Sequence, residues 1–282
     1  MNVPESDPSK PLLKLTGVRF GFDEGTPLLE SFDLSVQRGE FVTLLGPSGC
    51  GKSTILNLAA GLIAPRSGQV SFDGAPLSGV NLNIGYMTQG DTSLPWLTVA
   101  QNVVLPLELR GVPRAERQRR LVAALERVNL SERANFYPSA LSGGMKRRVL
   151  LARSLIYDPP MLLMDEPFAA LDAQLRETMH KELRATVTRL EESVLFVTHD
   201  IAESILLSDR VLVLRGRPLR VELAVEVPWA RDRDLDAVRV SGDFVRLESE
   251  LRQCLRAGVG SRPTPSRVGV GEGAVIEAEA RR

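Results

Sequence analysis

The chain has 282 residues, 43% of them apolar and 25% charged, a composition that excludes a disordered or fibrous protein and leaves room for one large α/β domain with an appendage. Its 35 basic and 35 acidic residues cancel to zero formal charge, so no overall field draws it to nucleic acid or an anionic membrane. Two cysteines, Cys50 and Cys254, exclude a disulfide framework and suit a reducing compartment.

The start, Met1 to Pro11, is polar and contains prolines, without the basic stretch and apolar core of a secretory signal. Nowhere does a continuous apolar run reach the ~18 residues that cross a bilayer, so any membrane service is rendered from the side. Leu12–Val18 and Phe32–Val36 alternate apolar and polar residues as strands do, joined by a turn-rich link through Asp23, Glu24, Gly25 and Pro27. Phe20 and Phe22 fall at the first strand's end, where an aromatic ring either stacks on an adenine or packs as an edge residue.

The apolar run Phe41–Leu45 then leads into Gly46-Pro47-Ser48-Gly49-Cys50-Gly51-Lys52-Ser53-Thr54, followed by the helix-like Ile55–Ala60. The G-x-x-x-x-G-K-[ST] spacing between a strand and a helix lets backbone N–H groups curl around phosphate oxygens, with the positive helix end aimed at them. Lys52 is placed to reach β- and γ-phosphates, and Ser53 to offer its hydroxyl to Mg²⁺. Cys50 reads as a small residue tolerated in a tight loop.

Gly61–Gly68 reads as a helix stop and turn, Gln69–Phe72 as a short strand, and Ile84–Met87 as a buried strand that delivers Gln89 into the following loop. From about 94 to 157 the pattern turns helical. Thr98 caps Val99–Leu109, with Pro106 shortening or kinking it, and Arg114–Val128 carries Leu121, Leu125 and Val128 on one face. Arg117, Arg119 and Arg120 interleave with that apolar stripe and lack aromatic company, which argues against a nucleic-acid patch. Leu141-Ser142-Gly143-Gly144-Met145 opens a helix to about Tyr157, with Ser142 as its N-cap.

Met161–Met164 is a short apolar strand ending in Asp165-Glu166, and a long helix follows with Leu171, Leu175, Met179, Leu183, Val187 and Leu190 at helical spacing. His180 within it reads as a surface residue. Val194–Val197 is the next buried strand, ending in Thr198-His199-Asp200. Val211–Leu214 and the strictly alternating Leu219–Val227 read as final strands, the second with one face to water. Phe244, Leu247, Leu251 and Leu255 suggest a terminal helix, and from Ala257 the Gly, Pro, Ser and Ala mixture reads as a disordered tail.

Strands alternating with helices imply a mainly parallel sheet, whose ligands collect at the strands' carboxyl ends. The phosphate loop, Gln89, Asp165-Glu166 and His199 each follow such a strand and so should converge on one crevice. There Asp165 is the expected Mg²⁺ carboxylate, and Glu166 can take a proton from an attacking water. His199 is placed for γ-phosphate contact.

Gly46–Thr54, Gln89, Leu141–Met145, Met161–Glu166, Ala170-Leu171-Asp172 and His199 stand in the order of the Walker A, Q-loop, signature, Walker B, D-loop and H-loop segments of an ABC-transporter ATPase subunit, which the chain resembles over about residues 12–227. Leu94–Thr98, Asp165–Phe168 and Thr198–Ile201 resemble the nitrate, sulfonate and taurine importer branch. The resemblance implies an α/β P-loop NTPase fold, with a mainly parallel core sheet, an antiparallel β region and a helical subdomain at about 94–157. It sets a flexible start at 1–11, an ATPase domain at 12–227, a helical extension at 228–256 and the tail at 257–282.

It further implies ATP and Mg²⁺ as cofactors. Lys52, Gln89, Glu166 and His199 would be the catalytic set, and Ser53, Gln89 and Asp165 the metal ligands. Phe22 and Gly46–Thr54 would hold nucleotide, joined by Ser142, Gly143 and Gly144 of a second copy in a head-to-tail homodimer. The implied partners are transmembrane permease subunits and, through them, a solute-binding protein, with the chain peripheral on the cytoplasmic face of the inner membrane. Leu94, Trp96 and Leu97 either dock the permease or fill the helical region's own core.

Four positions depart from the family's frequent residues: Phe22 for tyrosine, Arg147 for glutamine, Ala169 for glycine and Gly90 for an acidic or amide residue. Two rival functions are a soluble ABC-type ATPase acting on nucleic acid or ribosomes, and a small-molecule kinase. The first lacks sustained heptads between Lys52 and Ser142 or a second cassette; the second leaves the signature segment without a role.

Overall fold

The computed structural model describes residues 10–23, 25–169 and 171–256. The expected tail from Ala257, most of the expected flexible start, and Ala170 lie outside these residues. Among the described residues ten strands form two sheets. The smaller is antiparallel, in the order β2 (Leu29–Val36), β1 (Leu13–Phe20), β4 (Ser67–Phe72), β5 (Ala75–Pro76). The larger runs β10 (Arg220–Glu226), β9 (Arg210–Arg215), β3 (Phe41–Leu45), β8 (Ser193–Thr198), β7 (Met161–Asp165), β6 (Ile84–Met87), parallel except for the β10 edge.

The central strands lie between two cores, which explains why their sequences are apolar without a break. Val42, Leu44, Leu163, Leu195 and Val197 face α1 (Lys52–Ala59) and the antiparallel sheet. Their neighbours Phe41, Leu45, Leu162, Met164, Val194 and Phe196 face the other way, into the core built with the remaining helices. The period-two alternation of the pleat divides each strand between the cores. Side chains of this size gain roughly 1.5–3 kcal/mol each on full burial, which is why charged substitutions in these strands would not be tolerated.

Three helices intervene between β6 and β7: α2 (Val99–Leu109), α3 (Arg114–Arg127) and α4 (Gly143–Leu155). Helix α2 opens on a capping box in which the Gln101 amide donates to Thr98 Oγ1 and the Thr98 amide to Gln101 Oε1. It continues through Pro106 to Leu109, so the proline does not shorten it. On α3, Arg119 and Arg120 pair with Glu116, and Arg117 with Glu108. Beyond β7 come α5 (Ala173–Leu190), α6 (Ile201–Leu207), α7 (Leu235–Arg239) and α8 (Gly242–Arg256). The terminal helix buries Phe244, Leu247 and Leu251 as its spacing required, whereas α6 and α7 carry patterns too short for helical periodicity to reveal.

Two sequence expectations need adjustment. His180 is not a surface residue: it is 3% exposed, its Nε2 lies 3.1 Å from Glu203 Oε1, and its ring meets the edge of Phe168. It stands three residues before Leu183 and seven before Val187, which places it on the buried face of α5. Strand β10 alternates less cleanly than its sequence, because a register shift between Val221 and Leu223 interrupts its pairing with β9 and leaves Val221, Leu223 and Val225 half-buried.

Glu192, buried just after α5, has its pKa raised to about 7, first by burial and then by the charge of Asp158, with Arg127 opposing. The unfolded carboxyl titrates near 4.5. The native state therefore holds a proton that the unfolded chain releases, and this stability, full below pH 4.5, is lost as pH rises towards 7. Thermal melts should place Glu192→Gln about 2–4 °C above the parent at pH 8 and close to it at pH 5. Equal melting at pH 8 would mean that the ionised carboxylate costs the fold nothing.

Candidate functional site

Parallel pairing in the order β9, β3, β8, β7, β6 sets the carboxyl tips of these strands along one edge of the large sheet. From the tip of β3 springs the loop Gly46–Gly51, from β6 the segment with Gln89, from β7 Asp165-Glu166, and from β8 His199. Residues 33 to 114 positions away in sequence are thereby drawn to one carboxylate.

The β3–α1 loop is shaped for close approach. Gly51 has φ +115°, and a Cβ there would sit 2.9 Å from the methyl groups of Leu28. Helix α1 starts at the next residue without a side-chain cap, so its first N–H groups remain available to an anion. Lys52 is 4% exposed, and its ammonium donates to the carbonyls of Gly46 at 2.8 Å and Pro47 at 2.9 Å. A buried ammonium held by neutral carbonyls retains a strong attraction for anionic oxygens. Cys50 is a free thiol, and burial is the main reason its pKa is raised. That keeps it neutral beside the phosphate loop and gives no reason to assign it redox chemistry.

Glu166 is where the separate segments meet. Its Oε1 lies 3.8 Å from Lys52 Nζ. Its Oε2 accepts from Gln89 Nε2 at 3.3 Å and lies 3.1 Å from His199 Nδ1. The residue occupies left-handed backbone, φ +42°, pinned by its own N–H donating to the Val197 carbonyl at 2.9 Å. Such a conformation in a non-glycine residue costs on the order of 1–3 kcal/mol and persists only where the surroundings impose it.

Asp165, one residue earlier, is buried at the end of β7. Burial is the largest influence raising its pKa, a hydrogen bond from Ser53 opposes, the Glu166 charge raises it further, and Lys52 lowers it. Ser53 and Asp165 thus bring two hard oxygen donors together beside the phosphate loop, which fits a Mg²⁺ ion that takes its remaining ligands from phosphate and water.

Part of this cluster borders a cavity of about 500 Å³ that is wide enough for a nucleotide, whereas Asp165 and His199 are not among its lining residues. Lys52, Ser53, Gln89 and Glu166 line it with Ser48, Gly49, Gly51 and Thr54 of the phosphate-loop segment, and Phe22, Asp23, Thr26, Pro27, Leu28 and Arg217 complete the lining. Phe20 is buried and is the packed edge residue, whereas Phe22 is 79% exposed and touches Phe20 edge-on, its ring centroid 5.2 Å away, so a ring face of Phe22 remains available. Arg217 was not apparent from sequence. It sits in the β9–β10 turn, makes no hydrogen bond or ion pair among the described residues, and is brought beside the Phe22–Leu28 segment where the Leu219 amide donates to the Leu28 carbonyl at 2.7 Å.

Ser142, Gly143 and Gly144 do not line this cavity. They form the start of α4, where the Ser142 hydroxyl accepts from the Met145 amide at 3.3 Å. A Cβ on Gly144 would meet the end of the Leu175 side chain at 2.6 Å, so a larger residue on α4 there requires that α5 side chain to move. The outward N-terminus of α4 is a second helix start suited to an anion, separate from the first.

A parallel sheet whose tips gather a phosphate loop, a buried lysine, a metal-type carboxylate and a second acidic residue defines a P-loop ATPase. Residues 29–169 match the family model described as ABC transporter, and the chain belongs to that family. It is 40% identical over 233 residues to the nitrate import ATP-binding protein of Synechocystis, covering 81% of this chain and 88% of that one. To the aliphatic sulfonates import ATP-binding protein of Agrobacterium fabrum it is 41% identical over 254 residues, 90% of this chain and 92% of the relative. Among solved structures, a dimeric ATP-binding cassette in a post-hydrolysis state bound to ADP and Pi superposes with a TM-score of 0.67 at 31% identity, covering 77% of this chain and all of that one. The protein is an ABC transporter ATP-binding subunit with ATPase activity.

Gly51→Ala tests the loop's geometry. The added methyl meets both strain at φ +115° and Leu28, so the melting temperature without nucleotide should fall by a few degrees and affinity for MgATP about tenfold or more. Unchanged affinity, read by titration calorimetry, would show that the close approach is not needed.

Proposed function

We propose that this subunit powers the import of a small solute of the nitrate, sulfonate and taurine class through a separate membrane permease, working as a head-to-tail homodimer peripheral to the cytoplasmic face of the membrane. The observation that carries the reading is the meeting of Lys52, Gln89 and His199 at the single carboxylate of Glu166. In the working complex Lys52 binds the β- and γ-phosphates, the loop amides from Gly46 to Thr54 wrap them, and Phe22 stacks against the base. Arg217 adds positive charge on the nucleoside side of the cavity. Ser53 and Asp165, with Gln89, hold Mg²⁺, which when bound neutralises developing phosphate charge.

With Lys52 engaged by phosphate, Glu166 is released to take the proton of the attacking water, and His199 contacts the γ-phosphate. Ser142, Gly143 and Gly144 of a second copy close the same site from outside, which is why they lie apart from the cavity within one chain. The dimeric relative bound to ADP and Pi supports this arrangement. Its relatives named for nitrate and sulfonate import support the direction and solute class.

For the permease, the favoured docking surface is a groove of about 340 Å³ between the 60–86 segment and α2, where Leu62, Val80, Leu82 and Leu109 are exposed together. Trp96 is also exposed, at 69%, and Leu94 and Leu97 are half-buried, so Trp96 does not fill the core of the helical region. Among the described residues no helix is long and apolar enough to cross a membrane.

Glu166→Gln should bind MgATP as tightly as the parent, by calorimetry, and hydrolyse it about a hundredfold or more slowly. Undiminished turnover removes Glu166 from the role of base. Leu109→Glu should leave hydrolysis by the isolated subunit unchanged and lower its retention on reconstituted permease. Normal retention would move the dock elsewhere.

A further inference from the structure

Five consecutive residues of the loop after β6 are each held by a basic side chain of α4. Arg147 Nη1 donates to the carbonyls of Thr88 and Gly90, both at 3.3 Å, and its Nη2 donates to the Gln89 carbonyl between them at 2.5 Å. Lys146 Nζ pairs with Asp91 at 3.3 Å. Arg153 donates to the Thr92 carbonyl at 2.9 Å and to its hydroxyl at 2.6 Å. The seam has no gap from Thr88 to Thr92.

Arg147 is 7% exposed, and burial pulls its pKa and that of Arg153 below the ordinary arginine value. A guanidinium removed from water is stable only if its donors are satisfied, and here the partners of Arg147 are three backbone carbonyls of one loop. Glutamine, the frequent residue at this position in the family, has two N–H donors in place of five and could not hold three carbonyls spread along the loop. The contact is therefore a property of the arginine in this chain.

Its placement gives it a consequence. The main chain of Gln89 is fixed by Arg147, while the side chain of the same residue reaches Glu166 at 3.3 Å. Arg147 lies five residues beyond Ser142, on the first turns of the helix whose start carries the signature glycines. We propose that Arg147 is a positioning residue: it staples the Gln89 loop to α4, so that the Gln89 amide and the Ser142–Gly144 helix start move as one body. The inference rests on the proposed role of Gln89 at the phosphate site. Without the staple the loop keeps its anchors at Asp91 and Thr92 but loses the constraint next to Gln89 itself.

The test uses the full chain and a double-mutant cycle. Arg147→Met fills the same space without donors, and its ATP turnover should fall about ten- to a hundredfold with KM for ATP within about twofold, because orientation rather than nucleotide binding is lost. In a Gln89→Ala background the same substitution should cost nothing more, since the group it orients is gone. Arg147→Lys, which can still reach one or two carbonyls, should recover part of the turnover. Backbone amides of 88–92 should exchange hydrogen about tenfold or more faster in Arg147→Met, while those of β3 and β8 do not.

Multiplicative losses in the double variant, or unchanged exchange in 88–92, would overturn the proposal. Should Arg147→Met fail to fold, Arg153→Ala cuts the same seam at its outer end and must still speed exchange in 88–92, or the staple is wrong. If Gln89→Ala alone leaves turnover intact, the role of Gln89 fails, and the staple is then decided by exchange alone.

Discussion

Everything at the nucleotide end of this molecule depends on one carboxylate at the tip of a buried strand. Glu166 is held in left-handed backbone by the Val197 carbonyl and is reached by groups from three neighbouring strand tips. Parallel pairing makes that possible, because it brings every strand's carboxyl end to the same edge. The two cores keep the strands in register, with alternate residues of β3, β7 and β8 gripped on either side, so the tips hold position to within the tolerance that hydrogen bonds demand. A fold of this kind does not merely support the site; its topology creates it.

Electrostatics explains why these groups sit together although some oppose one another. Burial makes the ionised form of Asp165 costly, and Glu166 beside it makes it costlier still. Lys52 and the Ser53 hydroxyl offset part of that cost. A magnesium nucleotide would offset the rest by adding a divalent cation at the carboxylates and anionic oxygens at the lysine. This charge pattern is one that a polyphosphate with a divalent metal would complement. Arg217, which makes no ion pair among the described residues, and the open face of Phe22 extend the same logic to the nucleoside end of the cavity.

Much of this was legible in the sequence, for definable reasons. Strands buried on both faces read as unbroken apolar runs, so Phe41–Leu45, Met161–Met164 and Val194–Val197 stand out, and parallel pairing makes the polar residues just beyond them converge. Ser142 was identifiable as a cap because the Gly-Gly step after it opens a periodic helix. His180 is polar, yet its register, three before Leu183 and seven before Val187, puts it inside, where Glu203 receives it.

Arg217 lay out of reach for a different reason. It occupies a hairpin turn far along the chain, and only the three-dimensional approach of that turn to Leu28 brings it to the cavity. Arg147 could be seen to depart from the family's glutamine, yet nothing local disclosed that the loop it holds is the one bearing Gln89. Side chains that act across long sequence separations leave no periodic trace.

The central claim is that Glu166 and its three partners surround the phosphate end of a magnesium nucleotide, and a structure of the full chain with MgADP tests it most directly. The account predicts the Lys52 ammonium within hydrogen-bond distance of the β-phosphate and parted from Glu166, Asp165 and Ser53 beside the metal, and the base against Phe22. Nucleotide bound elsewhere, or a Lys52 still turned to the carbonyls of Gly46 and Pro47 with phosphate present, would contradict it.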